Sequence, residues 1–353
     1  MIIYISLFLL IFIQLIYFER YKFNFKISFF YISCLFVFFF CAFREDVGGD
    51  WKRYDQLFHE NIYFNFIDVI KFKEPLFQFI SYVSFNLRDN IFVQNFIISI
   101  IFFLSILPFL VSRKNPFLSL LIFIPMGVYI LHMGYVRQSI ALSFLCLSIY
   151  LFEQNKIFKS YFFSILSFGF HYSSIVFYPF LLFKKSLYTN LFIFTLLISF
   201  ILAIFIILYF KSDINFLNFN NINLVRSYLI QNESVSMGIY YRIIPTLIAF
   251  FIFLSYLNNF SKLENYGLLQ YFSSLFVFIL CLMLFGFSTL ADRINFYLIP
   301  YQIIIFNEYL SFSALNKKIK LLLISFMYFL ILIIWLSLSK YSQSNWQNYS
   351  TIF

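Results

Sequence analysis

The sequence predicts an all-α polytopic membrane protein with about ten spanning helices; its composition and its recurring apolar stretches are the observations that predict this fold class. Of 353 residues, 62% are hydrophobic and only 11% are charged, whereas about a quarter of the residues in a soluble domain are charged. Apolar stretches of roughly 18 or more residues recur along the chain, and each is long enough to cross a bilayer. Residues 1–353 are therefore predicted to form a single integral membrane domain.

The apolar stretches define the predicted spanning helices. The first stretch has no basic region before it and no cleavage site after it, which indicates a permanent helix rather than a removable signal peptide. The predicted spans are residues 2–18, 27–43, 91–111, 117–133, 136–152, 187–210, 240–257, 266–287, 294–312 and 319–338.

Two further apolar segments do not fit a simple crossing. Residues 75–87 are too short to span, which predicts a helix lying in the extracytoplasmic (periplasmic) interface. Residues 161–183 are long enough, but polar and helix-breaking residues interrupt them, which predicts a re-entrant helix pair. The interrupting residues are Gly169, His171, Ser173, Ser174 and Pro179.

Basic clusters in short loops set the orientation by the positive-inside rule. The clusters are Arg20/Lys22/Lys26, Arg113/Lys114, Lys156/Lys159, Lys184/Lys185 and Lys317/Lys318/Lys320. All of them face the cytoplasm only if 75–87 does not cross and 161–183 enters and returns. Two large loops, 44–90 and 211–239, are then extracytoplasmic. The net charge of +10 is explained by this topology, so no nucleic-acid partner is predicted.

Most arginines fall on the predicted outer side. They are Arg44, Arg53, Arg88, Arg137, Arg226, Arg242 and Arg293. Because the planar guanidinium suits a bidentate grip on phosphate or carboxylate, function is expected on this side.

The first candidate motif, FREDVGGDWKRY, begins directly after the second predicted helix. Gly48-Gly49 permits a tight turn, with Asp46 and Asp50 flanking it and Arg44 near the membrane surface. A carboxylate here can act as a general base or bind a cation. The alternative is an ordinary solvated loop.

Three further motifs place polar residues at predicted helix ends or breaks. Arg137, in GYVRQSIA, opens an apolar helix and is either functional or a snorkelling interface residue. His171, in GFHYSS, either lines a polar cavity where a helix breaks or is a hydrogen-bonded core histidine. Arg242, in YYR, and Arg293, in ADRIN, add guanidinium groups around an outward cavity or serve as interface anchors.

No metal site or cofactor is predicted. The histidines show no ligand spacing, and the four cysteines lie in or beside apolar stretches without a CxxC pair.

Taken in order, FREDVGGDWKRYDQLF, GYVRQSIALSF and SFGFHYSSIVFYPF resemble the EpsG family, within the Wzy group of polysaccharide polymerases. Arg44, the Gly48-Gly49-Asp50-Trp51 turn and Tyr54 match its first motif, and Arg137 and His171 match the other two. The likeness is clearest over residues 43–183 and extends more weakly through ADRINFY towards the C-terminus.

The resemblance implies a glycosyltransferase-C-like fold and a reaction. Such enzymes join undecaprenyl-diphosphate-linked oligosaccharide units into O-antigen (lipopolysaccharide), capsule or exopolysaccharide at the outer face of the bacterial inner membrane. The implied partners are these lipid-linked sugars, membrane lipids and a chain-length regulator. The implied general bases are Asp50, the favoured residue, Asp46 and His171. The implied substrate- and diphosphate-binding residues are Arg44, Arg137, Arg242, Arg293 and Tyr54.

Three other classes stay open at this point. A lipid-linked polysaccharide ligase uses the same donor, and a flippase or exporter also needs a diphosphate-binding cavity. A membrane-bound O-acyltransferase also uses an intramembrane histidine, but it does not explain the cluster between Arg44 and Tyr54.

Overall fold

The computed structural model describes residues 1–19, 23–72, 74–182, 236–284, 286–312 and 315–351. The predicted helix 187–210 and most of the predicted loop 211–239 lie outside these residues.

The described residues are largely helical, as predicted. Within the described part of the chain, five helices are long and apolar enough to cross a membrane, namely Phe25–Ala42, Ile91–Val111, Val136–Glu153, Tyr266–Leu284 and Lys317–Leu338. Shorter apolar helices cover Ile2–Phe18, Pro116–His132, Ile157–Phe170 and Ile239–Ser255. The all-α membrane class is thus confirmed, and the total of ten crossings stays a prediction.

The chain divides into two compact units, one formed by Met1–Tyr178 with Phe306–Phe353 and the other by Pro179–Ile305. The first unit contains α1 (Ile2–Phe18), α2 (Phe23–Ala42), β1 (Arg44–Glu45), α3 (Trp51–His59), a 3-10 turn (Glu60–Tyr63), α4 (Phe66–Ile70), α5 (Pro75–Leu87), α6 (Ile91–Val111), α7 (Pro116–Phe123), a π-helix (Ile124–His132), α8 (Val136–Glu153) and α9 (Ile157–Phe170).

The remaining elements continue in chain order. They are a 3-10 segment (Tyr172–Leu182), α10 (Ile239–Arg242), α11 (Ile244–Ser255), α12 (Leu257–Phe260), α13 (Tyr266–Leu284), α14 (Ser288–Phe296), α15 (Ile299–Phe312), α16 (Lys317–Leu338), α17 (Lys340–Trp346) and β2 (Ser350–Thr351). Helix α15 begins in the second unit and ends in the first.

Asparagine caps fix where two of the membrane helices begin. The side chain of Asn90 accepts a hydrogen bond from the N–H of Phe92 at 2.9 Å, and Asn115 accepts one from Leu118 at 3.3 Å. Each cap satisfies a donor that the first helical turn leaves unpaired. The starts of α6 and α7 are therefore set locally, and α6 has the bounds that the sequence predicts.

The predicted helix 117–133 differs from the observed structure. It is α-helical only to Phe123 and continues as the π-helix Ile124–His132. Pro125 lies at the start of the π-helix and has no N–H to donate.

Ion pairs join the loops and helix ends that the sequence places on the cytoplasmic side of the first unit. The pairs are Arg113 with Glu153, Lys114 with Glu308, and Lys317 with Glu19. Helix α8 runs away from this end, because Glu153 closes it and Val136 opens it. At 1.5 Å per residue, the two ends of α8 are about 25 Å apart. The start of α8 therefore lies at the opposite end of the unit.

Candidate functional site

The carboxylate of Glu74 joins two of the predicted site residues. Its Oε2 accepts a hydrogen bond from Nη1 of Arg137 at 2.5 Å, and its Oε1 is hydrogen-bonded to Nδ1 of His171. The three side chains are largely buried, with 10% of Glu74, 23% of Arg137 and 17% of His171 exposed. We call Glu74, Arg137 and His171 the polar triad.

Arg137 and His171 meet because α8 and α9 form an antiparallel hairpin. Asn155, in the left-handed conformation (φ 58°), lies in the short connection, and the two helices pack closely along their length. The hydroxyls of Ser148 and Ser160 each donate to the other residue's carbonyl at 2.8 Å, which holds the helices at close range. The start of α8 therefore lies beside the end of α9.

Helix α9 ends where the predicted break falls. Phe170 is its last residue, and His171 is extended with φ −157° and ψ 122°. The N–H of His171 still bonds to the carbonyl of Ser167 at 3.1 Å. The break is thus a defined change of direction that turns the imidazole towards Glu74, whereas the re-entrant course of 161–183 through the membrane stays a prediction.

Gly169 allows the N-terminus of α5 to approach α9. A Cβ at Gly169 would lie 2.6 Å from Cδ1 of Leu76, which is too close for contact. Pro75 occupies the first turn of α5, where its missing N–H is tolerated. Glu74 immediately precedes Pro75, so this contact between α5 and α9 brings the Glu74 carboxylate to Arg137 and His171.

Charge interactions keep Glu74 ionised. Burial acts to raise the pKa of this carboxyl, but the hydrogen bond and charge of His171, together with Arg137, outweigh burial and hold the pKa below its ordinary value of 4.5. An ionised carboxylate can only accept hydrogen bonds, so Nδ1 of His171 carries the proton. Among the described residues, Nε2 of His171 has no hydrogen-bond partner.

Tyr54 extends the site along α3. The guanidinium carbon of Arg137 lies 5.6 Å from the Tyr54 ring centre and 5.8 Å from that of Phe77. Burial raises the pKa of the Tyr54 hydroxyl, and a hydrogen bond with Arg137 opposes this effect. Tyr54, Phe77 and Glu74 thus all lie against the guanidinium of Arg137.

Asp50 lies one helical turn before Tyr54, at the N-cap position of α3. The carbonyl of Asp50 accepts the N–H of Tyr54 at 3.0 Å. Its charge contributes to the raised pKa of both Tyr54 and Tyr341, after burial and other causes. Asp50 is therefore next to the polar triad, linked through Tyr54, whereas Asp46 is exposed and in the left-handed conformation with φ 46°.

The Gly48-Gly49 turn is needed for close packing. Gly48 has φ +120°, and a Cβ there would lie 1.8 Å from the carbonyl oxygen of Met133. A Cβ on Gly49 would lie 1.8 Å from the hydroxyl of Tyr341. The turn therefore fits closely between Met133, shortly before α8, and Tyr341 of the C-terminal segment.

The C-terminal segment covers this turn. Strand β2 pairs antiparallel with β1, with Thr351 opposite Arg44, and the carbonyl of Asn345 accepts the N–H of Gly48 at 3.0 Å. Trp346 is buried and donates through Nε1 to the carbonyl of Tyr129 at 3.0 Å. The first motif is thus held by residues from the other end of the sequence.

Arg44 is buried within the protein, with 1% of its surface exposed. Its guanidinium donates to the carbonyls of Cys41 at 2.7 Å, Val47 at 3.3 Å and His132 at 3.4 Å. These contacts tie the end of α2 to the turn and the π-helix. They indicate a structural role, and diphosphate binding by Arg44 stays a prediction.

The second unit has its own buried ion pair. Nε of Arg242 donates to Oδ1 of Asp292 at 2.9 Å, and Nη2 donates to Oδ2. The hydroxyl of Ser236 donates to the same carboxylate at 2.6 Å. Arg293 is half-buried in α14 beside this pair. Substrate binding by Arg242 and Arg293 stays a prediction.

Sequence reasoning did not find Glu74. Its one local signal is an acidic residue directly before the proline that opens a short apolar helix, where a carboxylate favours the positive end of the helix dipole. That signal predicts a helix start rather than a partner for Arg137 and His171.

The fold and the site together define a polytopic helical membrane protein with a buried, charged polar triad at one end of its helices. Residues 27–351 match the EpsG family. Because the match covers nearly the whole chain, the chain belongs to this family, which consists of Wzy-like polysaccharide polymerases. No curated protein and no solved structure gives a significant match.

Proposed function

We propose that this protein polymerises undecaprenyl-diphosphate-linked oligosaccharide units at the outer face of the bacterial inner membrane. Membership of a polysaccharide polymerase family supports the reaction class, and the apolar helices support a membrane location. The product is O-antigen, capsule or exopolysaccharide.

The reaction has two chemical demands. The acceptor hydroxyl attacks the anomeric carbon of the donor chain, forming the new glycosidic bond, and the bond to the lipid diphosphate breaks with its electrons leaving on the diphosphate. The hydroxyl proton must move to a base. Cations must stabilise the charge that develops on the leaving group.

His171 is proposed as the base. The observation that carries this assignment is the hydrogen bond between Nδ1 of His171 and the Glu74 carboxylate. This bond fixes the tautomer so that Nε2 is the proton-accepting nitrogen, and it stabilises the imidazolium that forms. Glu74 is then a positioning residue that acts through His171.

Arg137 is proposed to bind the diphosphate. Glu74 and Tyr54 orient its guanidinium, and the planar group presents five donors, so part of its donor capacity is available to phosphate oxygens. Arg137 and His171 are bound to the same carboxylate, that of Glu74. The group that stabilises the leaving diphosphate and the group that accepts the proton would therefore lie close together.

Asp50 remains the second candidate for the base. The sequence alone favours Asp50, and its position next to Tyr54 keeps it close to the polar triad. In that case His171 would position the acceptor and Asp50 would take the proton. Asp46 is a weaker candidate because it is exposed on the turn.

The test uses the purified full-length protein with purified lipid-linked repeat units. We expect a ladder of extended chains from the parent protein and single units from the His171→Gln variant. The matched control is His59→Gln, because His59 is exposed at the surface between Asp55 and Asp89. Lipid A core is added to a parallel reaction, where transfer of intact chains to it, without extension, would instead indicate a ligase. Equal ladders from the parent and from His171→Gln would contradict the assignment of the base.

A deletion strain separates the polymerase from a flippase. Loss of a polymerase leaves one repeat unit on each acceptor, whereas loss of a flippase leaves none.

A further inference from the structure

Large apolar side chains are exposed on one short stretch of the loop between α2 and α6. Their exposed fractions run from 53% to 81%, similar to the 66% of Leu104 on the membrane helix α6. The residues are Ile62, Tyr63, Phe66, Ile67 and Ile70, and we call them the apolar ridge. A ridge of this kind is unusual on a surface that faces water.

The opposite side of this stretch is anchored. Asn61 is buried and donates through Nδ2 to the hydroxyl of Ser81 at 2.8 Å, and its Oδ1 accepts from Gln78 at 2.8 Å. The hydroxyl of Ser81 donates to Gln94 at 3.2 Å. This buried network ties the 3-10 turn to α5 and α6, so the ridge is held in place from behind.

Helix α4 is also locally defined. The N–H of Asn65 donates to Oδ2 of Asp68 at 3.0 Å, as in a helix-capping arrangement. Val69 faces inward and is buried, whereas Phe66, Ile67 and Ile70 face outward. The two faces of α4 therefore differ in what they contact, and only the outer one lacks cover from the described residues.

Helix α5 is mostly covered by its neighbours. Its residues Phe77, Gln78, Ile80, Ser81 and Ser84 are buried, because α5 packs against α4, α6 and α9. Phe79 is exposed and its ring lies 6.3 Å from that of Phe66. The exposed apolar surface of this loop is thus continuous from α4 to Phe79, and α5 is not its centre.

The position of the apolar ridge and the residues around it indicate that it contacts lipid. The loop connects two helices that are long and apolar enough to cross a membrane, α2 and α6, so it lies at the membrane surface. Ile, Phe and Tyr are side chains that enter the boundary between headgroups and acyl chains. Lys71, directly after α4, is exposed and suits anionic headgroups.

We propose that the apolar ridge is inserted into the lipid bilayer and contacts the headgroup and acyl boundary. Because α4 leads within a few residues to Glu74, this contact also sets the depth of Glu74 relative to the lipid surface. The proposal concerns lipid contact alone and is independent of the reaction.

The test measures the depth of a nitroxide spin label at Ile67→Cys in vesicles of phosphatidylethanolamine and phosphatidylglycerol. The four native cysteines are buried, and the parent protein, treated in the same way, gives the background signal. We expect the label at residue 67 to collide more with oxygen than with a water-soluble nickel complex. Leu104→Cys is the matched lipid-exposed control. Glu60→Cys is the water-exposed control, because Glu60 is polar and exposed on the 3-10 turn that also carries Ile62 and Tyr63.

Two results would overturn the proposal. One is nickel accessibility at residue 67 equal to that at residue 60, which means that the ridge faces water. The other is a label at residue 67 that neither reagent reaches, which means that protein covers the ridge.

Discussion

Oε1 of Glu74 is hydrogen-bonded to Nδ1 of His171, 97 residues further along the chain. The same carboxylate binds Arg137 through its other oxygen. One acidic side chain therefore fixes which nitrogen of the histidine carries the proton, and it also orients the arginine.

Replacing Glu74 with glutamine is expected to lower chain extension by about 100-fold or more, in line with the contribution of a general base. The amide can donate to Nδ1, which would place the histidine proton on Nε2 and prevent it from accepting the acceptor proton. The measurement is extension of purified lipid-linked units at equal protein level. Glu60→Gln, at an exposed acidic residue, is the control, and activity of Glu74→Gln equal to that of the control would refute the positioning role.

The base is assigned by comparing two substitutions. We expect His171→Ala to reduce chain extension by about 100-fold to 10,000-fold, and Asp50→Asn to reduce it less, because the Glu74 carboxylate is hydrogen-bonded to Nδ1 of His171 and orients Nε2 as the proton acceptor. Initial rates with both purified variants give the comparison. If Asp50→Asn abolishes extension while His171→Ala retains it, Asp50 is the base, as the sequence alone favours.

Arg137→Lys is expected to lose most polymer although the positive charge remains. A lysine ammonium is a point charge and cannot hold Glu74 and a phosphate with the geometry of a planar fork. Polymer length on gels, with protein level measured in parallel, reports the effect. Arg53→Lys changes an exposed arginine of the same loop in the same way and should leave polymer unchanged. Normal polymer in Arg137→Lys would indicate an interface anchor.

Gly48→Ala is expected to destabilise the protein more than Gly286→Ala. Both glycines have positive φ, which costs a residue with a Cβ about 1–2 kcal/mol. Only Gly48 also faces an atom, the carbonyl oxygen of Met133, since nothing lies within 4 Å of a Cβ at Gly286. Thermal unfolding of the two variants in the same detergent measures the difference. Equal melting temperatures would mean that the turn can move away from α8.

The difference in folding stability between the parent protein and the Glu74→Gln variant is expected to depend on pH in a defined direction. The folded-state pKa of Glu74 lies below its ordinary value of 4.5, so the ionised carboxylate stabilises the folded state above pH 4.5, and this contribution is lost as the pH falls through the folded-state pKa. At pH 7 the free energy of unfolding of the parent should exceed that of the variant by about 1–3 kcal/mol. This is less than the cost of removing one partner from a fully buried ion pair. The difference should narrow in acid, and a difference that is constant from pH 7 to pH 3 would contradict it.

The sequence contains most of what places Arg137 near His171. A short connection between two apolar helices makes them antiparallel neighbours, so the start of α8 must lie near the end of α9. The interruption at Gly169 and His171 likewise predicts the observed helix break. These features are local, and local patterns are what sequence reasoning detects.

Glu74 could not be found in this way, because its role depends on a contact between distant segments. Its position follows from the approach of Leu76 to Gly169, which only the packed structure reveals. Arg44 is a second residue whose contacts the sequence does not reveal. A motif arginine near a membrane surface suggests a ligand for phosphate, but the three carbonyls that it binds become visible only in the fold.

The pairing of β2 with β1 gives the protein a fixed order of assembly. Gly48 leaves the ribosome long before Asn345, whose carbonyl accepts its N–H, and Asn345 follows the long apolar helix α16. During synthesis the first motif is therefore made before the C-terminal residues that pack against it. A partly made chain cannot hold Asp50 in its final position, so completion of the turn coincides with completion of the first unit.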